Sequence, residues 1–148
     1  MDKLLLKVYI VSNSIDSQET EKRNHKILIV DDDPRILDIT AKGLEYAGYQ
    51  VTTAISGEAA IATLYNKDFD LIITDYHMGQ LDGISLLKKA KLLNPKIGVI
   101  IVTGNADVAF AIEALRFKAD GYILKPFNLD DLIDRASHCL KNTSPPKL

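Results

Sequence analysis

Short β-branched runs alternating with longer stretches of helical period predict an α/β fold: a doubly wound, five-stranded parallel sheet with helices on both faces. Two further observations support that class. The runs beginning at Ile27, Leu71 and Ile97 are apolar throughout, as central strands covered on both faces should be. The chain has 148 residues, of which 47% are hydrophobic and 26% charged, the length and balance of one ordinary globular domain.

The elements follow in order. Residues 4–11 form an apolar, β-like segment, and residues 12–26 are polar and aperiodic, a linker by composition. The alternation then begins. Strands are expected over 27–30, 49–54, 71–74, 97–102 and 121–124. Asp33 and Pro34 read as N-cap and first helical residue; Ile36, Leu37, Thr40, Leu44 and Ala47 follow at helical spacing, and Gly48 stops the helix. Ser56 caps a second helix carrying Ala60, Ile61 and Leu64. A third runs from about Gly83 to Leu93, ahead of Asn94-Pro95. A fourth spans about Ala106 to Lys118. Asn128 caps the fifth, with Asp130 and Asp131 in its positive first turn and Leu129, Leu132, Ile133, Ala136 and Leu140 on one face. The organisation is thus an extension over 1–25, a domain over 26–141 and a tail or linker start over 142–148.

Several function classes are excluded early. The net charge is −2, which argues against a basic nucleic-acid-binding surface, so no direct nucleic-acid binding is expected. The longest apolar runs are about four residues, far short of the ~20 that span a bilayer, and Lys7 interrupts the N-terminal stretch with no cleavage site after it. No membrane association is expected. Cys139 is the single cysteine, so neither an intramolecular disulfide nor a cysteine zinc cluster is available, and the cytoplasm is the expected compartment. His25 and His138 have no partners that suggest a metal.

In doubly wound sheets, sites form at the carboxyl ends of strands. The first strand ends in Asp31-Asp32-Asp33, the third in Asp75, the fourth in Thr103 and the fifth in Lys125-Pro126. Carboxylates converging on one edge repel and need a cation, and hard oxygen ligands select Mg²⁺ or Mn²⁺. A lysine and a hydroxyl beside them supply positive charge and a donor for an anionic group. The set suits phosphoryl transfer to a nucleophilic carboxylate.

Four segments carry a more specific signal: Ile27-Leu28-Ile29-Val30-Asp31-Asp32-Asp33-Pro34, Ile72-Ile73-Thr74-Asp75-Tyr76-His77-Met78, Ile100-Ile101-Val102-Thr103-Gly104, and Gly121-Tyr122-Ile123-Leu124-Lys125-Pro126-Phe127. In this order and spacing the chain, from about Lys26 to Lys141, resembles a bacterial two-component response-regulator receiver domain. The resemblance implies a flavodoxin-like strand order 2-1-3-4-5. It implies that Asp75 accepts a phosphoryl group from a sensor histidine kinase or phosphotransfer protein. Asp32 and Asp75 would bind the metal directly, Asp31 through a water, and His77 through its main-chain carbonyl. Thr103 and Lys125 would hydrogen-bond the phosphoryl group, Thr103 and Tyr122 would form the switch, and the Lys125–Pro126 bond would be cis. Such a protein is a signalling switch, not an enzyme acting on other molecules. Its output, to a partner or a second copy, would leave through the fourth helix, fifth strand and fifth helix.

Other readings compete. Asp31-x-Asp33 also fits a haloacid-dehalogenase-like phosphatase, but Asp130 and Asp131 fall inside a helix's first turn and Asp75 has no role there. An FMN binder needs a phosphate-cradling loop where this chain has three negative charges. A receiver-like binding module that has lost phosphorylation is opposed by the intact acidic set. Asp33 is best explained as a cap, Asp82 as turn chemistry and Cys139 as structural. His77 and Asn105 stand beside the mouth, where they could govern water access or simply be surface.

The chain departs from the family pattern at two positions. Gly79 replaces a usual proline, which should loosen its loop, and Lys118 replaces a usual glycine. On the fourth helix, Val108, Ala111, Ile112 and Leu115 read as the core face and Phe110, Ala114 and Phe117 as the opposite one. Phe110 and Phe117 are therefore expected on an interaction surface. Residues 4–11 could add an edge strand, pair between chains or stay disordered; the liability of an exposed apolar strand favours pairing.

Overall fold

The structure, a computed structural model, describes residues 2–7 and 24–143. From residue 26 the order is β1 (Lys26–Val30), α1 (Pro34–Tyr46), β2 (Gln50–Ala54), α2 (Gly57–Asn66), β3 (Leu71–Asp75), α3 (Gly83–Leu93), β4 (Gly98–Thr103), α4 (Val108–Arg116), β5 (Gly121–Leu124) and α5 (Leu129–Thr143). The strands form one sheet in the order β2-β1-β3-β4-β5. Every pairing is parallel, so every connection is a crossover and every strand's carboxyl end lies on one edge.

The two-residue period of a strand divides the core. Ile27 and Ile29 of β1, Ile73 of β3 and Ile100 and Val102 of β4 face α1 and α5, where Leu37, Leu44, Leu132 and Leu140 cover them. Leu28, Val30, Ile72, Val99 and Ile101 face the other way, against α2, α3 and α4. The three central strands are β1, β3 and β4, the ones whose sequences are apolar on both faces.

The helix starts follow their caps. The side chains of Asp33, Ser56 and Asn128 accept from backbone N–H groups of Arg35, Ala59 and Asp131 at 2.9, 3.0 and 2.8 Å. Asp82, expected as turn chemistry, caps α3 by accepting from the Ser85 N–H at 2.8 Å. The fourth helix begins later than its apolar pattern suggests, because Asp107 caps it, accepting from the Phe110 N–H at 2.8 Å.

Helices α1 and α4 end in the same Schellman geometry. After α1, the N–H groups of Gly48 and Tyr49 donate to the carbonyls of Glu45 and Leu44, and Gly48 has φ +107°. After α4, Lys118 and Ala119 donate to Leu115 and Ala114, but the left-handed residue is Lys118, at φ +64°. A non-glycine side chain there costs on the order of 1 kcal/mol. Lys118→Gly is therefore expected to stabilise the domain by about 0.5–1 kcal/mol, read as a rise in the urea midpoint at unchanged slope.

Two expectations need correction. Residues 3–7 are helical, not β-like; Asp2 accepts from the Leu4 N–H through its side chain and from the Leu6 N–H through its carbonyl. Leu4, Leu5 and Leu6 are exposed. The rest of the 4–11 segment lies outside the described residues. A run of leucines and a lysine is as good a helix former as any, so apolarity alone did not imply a strand.

The second correction concerns α4, which is turned over. Phe110 is 5% exposed and Phe117 is half-buried against the core, whereas Val108, Ile112 and Leu115 are 76%, 60% and 78% exposed. Both faces of α4 are apolar, so periodicity could not choose between them. The aromatic rings carry more apolar area than valine, isoleucine or leucine and take the inside.

Candidate functional site

Three carboxylates meet at the carboxyl edge of the sheet. Asp31 and Asp32 follow β1, Asp75 ends β3, and one oxygen from each lies within 4.8 Å of the others. Asp31 and Asp75 are buried and Asp32 is exposed. Lys125, just beyond β5, places Nζ 2.9 Å from Asp75 Oδ1. The Asp31 carboxylate also accepts from the Asp33 N–H at 2.9 Å. Its pKa is nonetheless raised, first by desolvation and further by the charges of Asp75 and Asp32, against the lowering effects of that hydrogen bond and Lys125. Asp33 points away into its cap.

Three acidic oxygens crowded at one sheet edge, two on buried residues, form a hard oxygen donor set of the kind that takes Mg²⁺ or Mn²⁺. They open into a cleft of about 680 Å³, walled on one side by Ile36, Ile39 and Thr40 of α1 and on the other by Phe127 and Leu129. These apolar wall residues are the part of the site that the sequence reading missed. Ile36 shares the helical spacing of α1's apolar residues and Ile39 carries no polar signal, so neither is marked in the sequence as lining a cleft.

Thr103, at the end of β4, is fully buried. Its hydroxyl donates to the Asn105 carbonyl and accepts from the Asn105 N–H, both at 3.2 Å. The Lys125–Pro126 bond is cis, and Lys125 N–H donates to the Thr103 carbonyl at 2.8 Å. Behind Asp75, the Thr74 hydroxyl donates to the Asp75 carbonyl at 3.0 Å and lies 3.8 Å from Met78 Sδ, which anchors the loop leaving β3. Gly79 in that loop has φ +50°, a conformation closed to the proline usual there. Tyr122 is 43% exposed. His77 and Asn105 are exposed beside the mouth. Phe110 is buried and so is withdrawn from the surface expected of it, and Phe117 is half-buried against the core. Cys139 is buried, its thiol pushed up to about 11 by desolvation.

The comparisons agree with this geometry. The family profile for the response regulator receiver domain matches residues 27–137. The chain is 40% identical over 117 residues to the transcriptional regulatory protein ZraR of Salmonella typhimurium, covering 79% of this chain and 26% of that protein. It is 38% identical over 118 residues to the response regulator SaeR of Staphylococcus epidermidis, covering 80% of this chain and 51% of that protein. The chain thus spans about a quarter to a half of the length of these relatives. Among solved structures, a CheY-like response regulator receiver domain protein from Methanospirillum hungatei superposes with a TM-score of 0.78 at 38% identity, over 80% of this chain and 95% of the other. The chain belongs to the response-regulator receiver family, whose members serve two-component signal transduction. No helix among the described residues is long and apolar enough to cross a membrane.

Proposed function

We propose that Asp75 is the phosphoacceptor of a two-component switch and that residues 26–141 are the switching unit. The observation that carries this is the meeting of Asp31, Asp32 and Asp75 within 4.8 Å, with Lys125 2.9 Å from an Asp75 oxygen. An Asp75 carboxylate oxygen attacks the phosphorus of a kinase's or phosphotransfer protein's phosphohistidine. The O–P bond forms as the N–P bond breaks, and the imidazole leaves with the electron pair. Asp32 and Asp75 would hold Mg²⁺ or Mn²⁺ directly, with Asp31 acting through a water and His77 through its main-chain carbonyl. When bound, the cation offsets the acidic charge and the charge of the phosphoryl oxygens. Lys125, already paired with Asp75, neutralises a phosphoryl oxygen, and Thr103 donates its hydroxyl to another. Turning to do so, Thr103 gives up its bonds to Asn105, and Tyr122 moves with it. The protein acts in the cytoplasm as a switch and catalyses only its own phosphorylation and dephosphorylation.

The output face of α4, β5 and α5, offered to a partner or a second copy, is made by Val108, Ile112 and Leu115 with Tyr122 and Leu124, all exposed. The phosphoacceptor reading is tested by intact mass after incubation with acetyl phosphate and Mg²⁺. One phosphoryl group on the native chain and none on Asp75→Asn is the expected result. An adduct on both, or on neither even when beryllofluoride is tried in place of acetyl phosphate, would overturn it.

A further inference from the structure

Four aromatic rings form a continuous path from the site to β5. His77 meets Tyr76 edge to face at 4.6 Å and 89°, Tyr76 meets Phe110 at 5.2 Å and 85°, and Phe110 meets Tyr122 at 5.9 Å and 86°. Phe110 is the buried member, and it is the α4 residue that touches both the residue following Asp75 and the exposed ring on β5. A second path reaches the same residue through the backbone. The Thr103 hydroxyl is tied to Asn105, and Asp107 holds the Phe110 N–H. A turn of Thr103 toward Asp75 would give up the bonds to Asn105, two residues before that cap.

We propose that Phe110 is a positioning residue that holds Tyr122 in its outward conformation, so that phosphorylation must break the Phe110–Tyr122 contact to throw the switch. The proposal rests on Asp75 being the phosphoacceptor. An edge-to-face pair favours the state in which it forms by roughly two- to tenfold. A phosphoryl group or its mimic, which favours the inward state, binds against that bias, and its apparent affinity is reduced by the same factor. Removing the Phe110 ring should therefore tighten binding of the mimic. A residue that merely filled the core would give weaker binding or none of this gain, because its loss only loosens the fold.

The test is a calorimetric titration of the full chain with beryllofluoride in saturating Mg²⁺, for the native chain, Phe110→Leu, Tyr122→Leu and the double variant. Urea unfolding of each establishes that it is folded at the titration temperature. Phe110→Leu is expected to bind about two- to tenfold more tightly than the native chain. The same change in the Tyr122→Leu background should have no effect, because the contact is already gone. Phe110→Met, which keeps most of the volume without the ring, gives the same reading should the leucine variant fail to fold. Unchanged or weaker binding by the Phe110 variants, or an equal gain without Tyr122, would overturn the proposal and leave the phosphoacceptor reading intact. A folded native chain that binds no beryllofluoride would overturn both.

Discussion

Gly83→Ala is expected to destabilise the domain by about 1–3 kcal/mol and to slow capture of a phosphoryl group by up to roughly a hundredfold. A Cβ built at Gly83 would stand 2.7 Å from the Asp75 carbonyl oxygen and 3.1 Å from the Tyr76 Cα. Both neighbours are backbone, so no rotamer change relieves the clash. The Gly83 N–H also donates to the Tyr76 carbonyl at 2.9 Å, and this fastens the start of α3 to the residue beside Asp75, the proposed phosphoacceptor. Added volume there must push α3 away from β3 or displace Asp75, and on the proposed function the second outcome moves the attacking carboxylate. Gly104→Ala is the control: a Cβ there meets nothing within 4 Å and should leave stability nearly unchanged. Urea unfolding and the rate of adduct growth by intact mass check both variants. Equal stability and equal rate for Gly83→Ala would contradict the close approach.

The acidic edge leads to a second large effect. Carboxylates held within 4.8 Å of one another destabilise the metal-free fold; a pair of like charges about 5 Å apart repels by roughly 3 kcal/mol at an effective dielectric near 20. Lys125 offsets part of that through Asp75. Asp31→Asn, which keeps the shape and the acceptor for the Asp33 N–H, is expected to stabilise the metal-free chain by about 1–2 kcal/mol. Mg²⁺ should stabilise the native chain far more than either variant that lacks a carboxylate. At a hundred times its dissociation constant it adds about 2.7 kcal/mol to the native chain, and much less to Asp31→Asn or Asp32→Asn. Thermal unfolding with and without Mg²⁺, each in the presence and absence of chelator, measures the difference. A Mg²⁺-dependent rise in Tm that survives both substitutions would place the cation elsewhere.

Most of the sheet was legible because its signals are local and redundant. Ile27, Leu71 and Ile97 begin runs that are apolar on both faces, and Asp33, Ser56 and Asn128 cap helices by chemistry that needs no tertiary context. Asp31, Asp32, Asp75, Thr103 and Lys125 could be grouped because all stand at or just past strand ends, and a parallel sheet brings those ends to one edge. The face of α4 was a different kind of question. Val108, Ile112 and Leu115 compete with Phe110, Ala114 and Phe117 for the inside, and the outcome depends on what α4 packs against, which its own period does not carry. Ile36 and Ile39 were obscured for a related reason: an isoleucine lining a cleft and one filling a core share the same letter and the same period.

The burial of Cys139 has a practical side. Its sulfur lies against Gly98, where even a Cβ would come within 2.8 Å, and with a pKa near 11 roughly one molecule in three thousand carries the thiolate at pH 7.5. A thiol introduced on exposed α4, for instance by Ile112→Cys, would ionise to about a tenth at that pH. A maleimide or spin label would then choose the new sulfur by several hundredfold before steric exclusion is counted. Buried Cys139 is a poor competitor for such reagents, so distances across the exposed face of α4 and β5 can be read without removing it first.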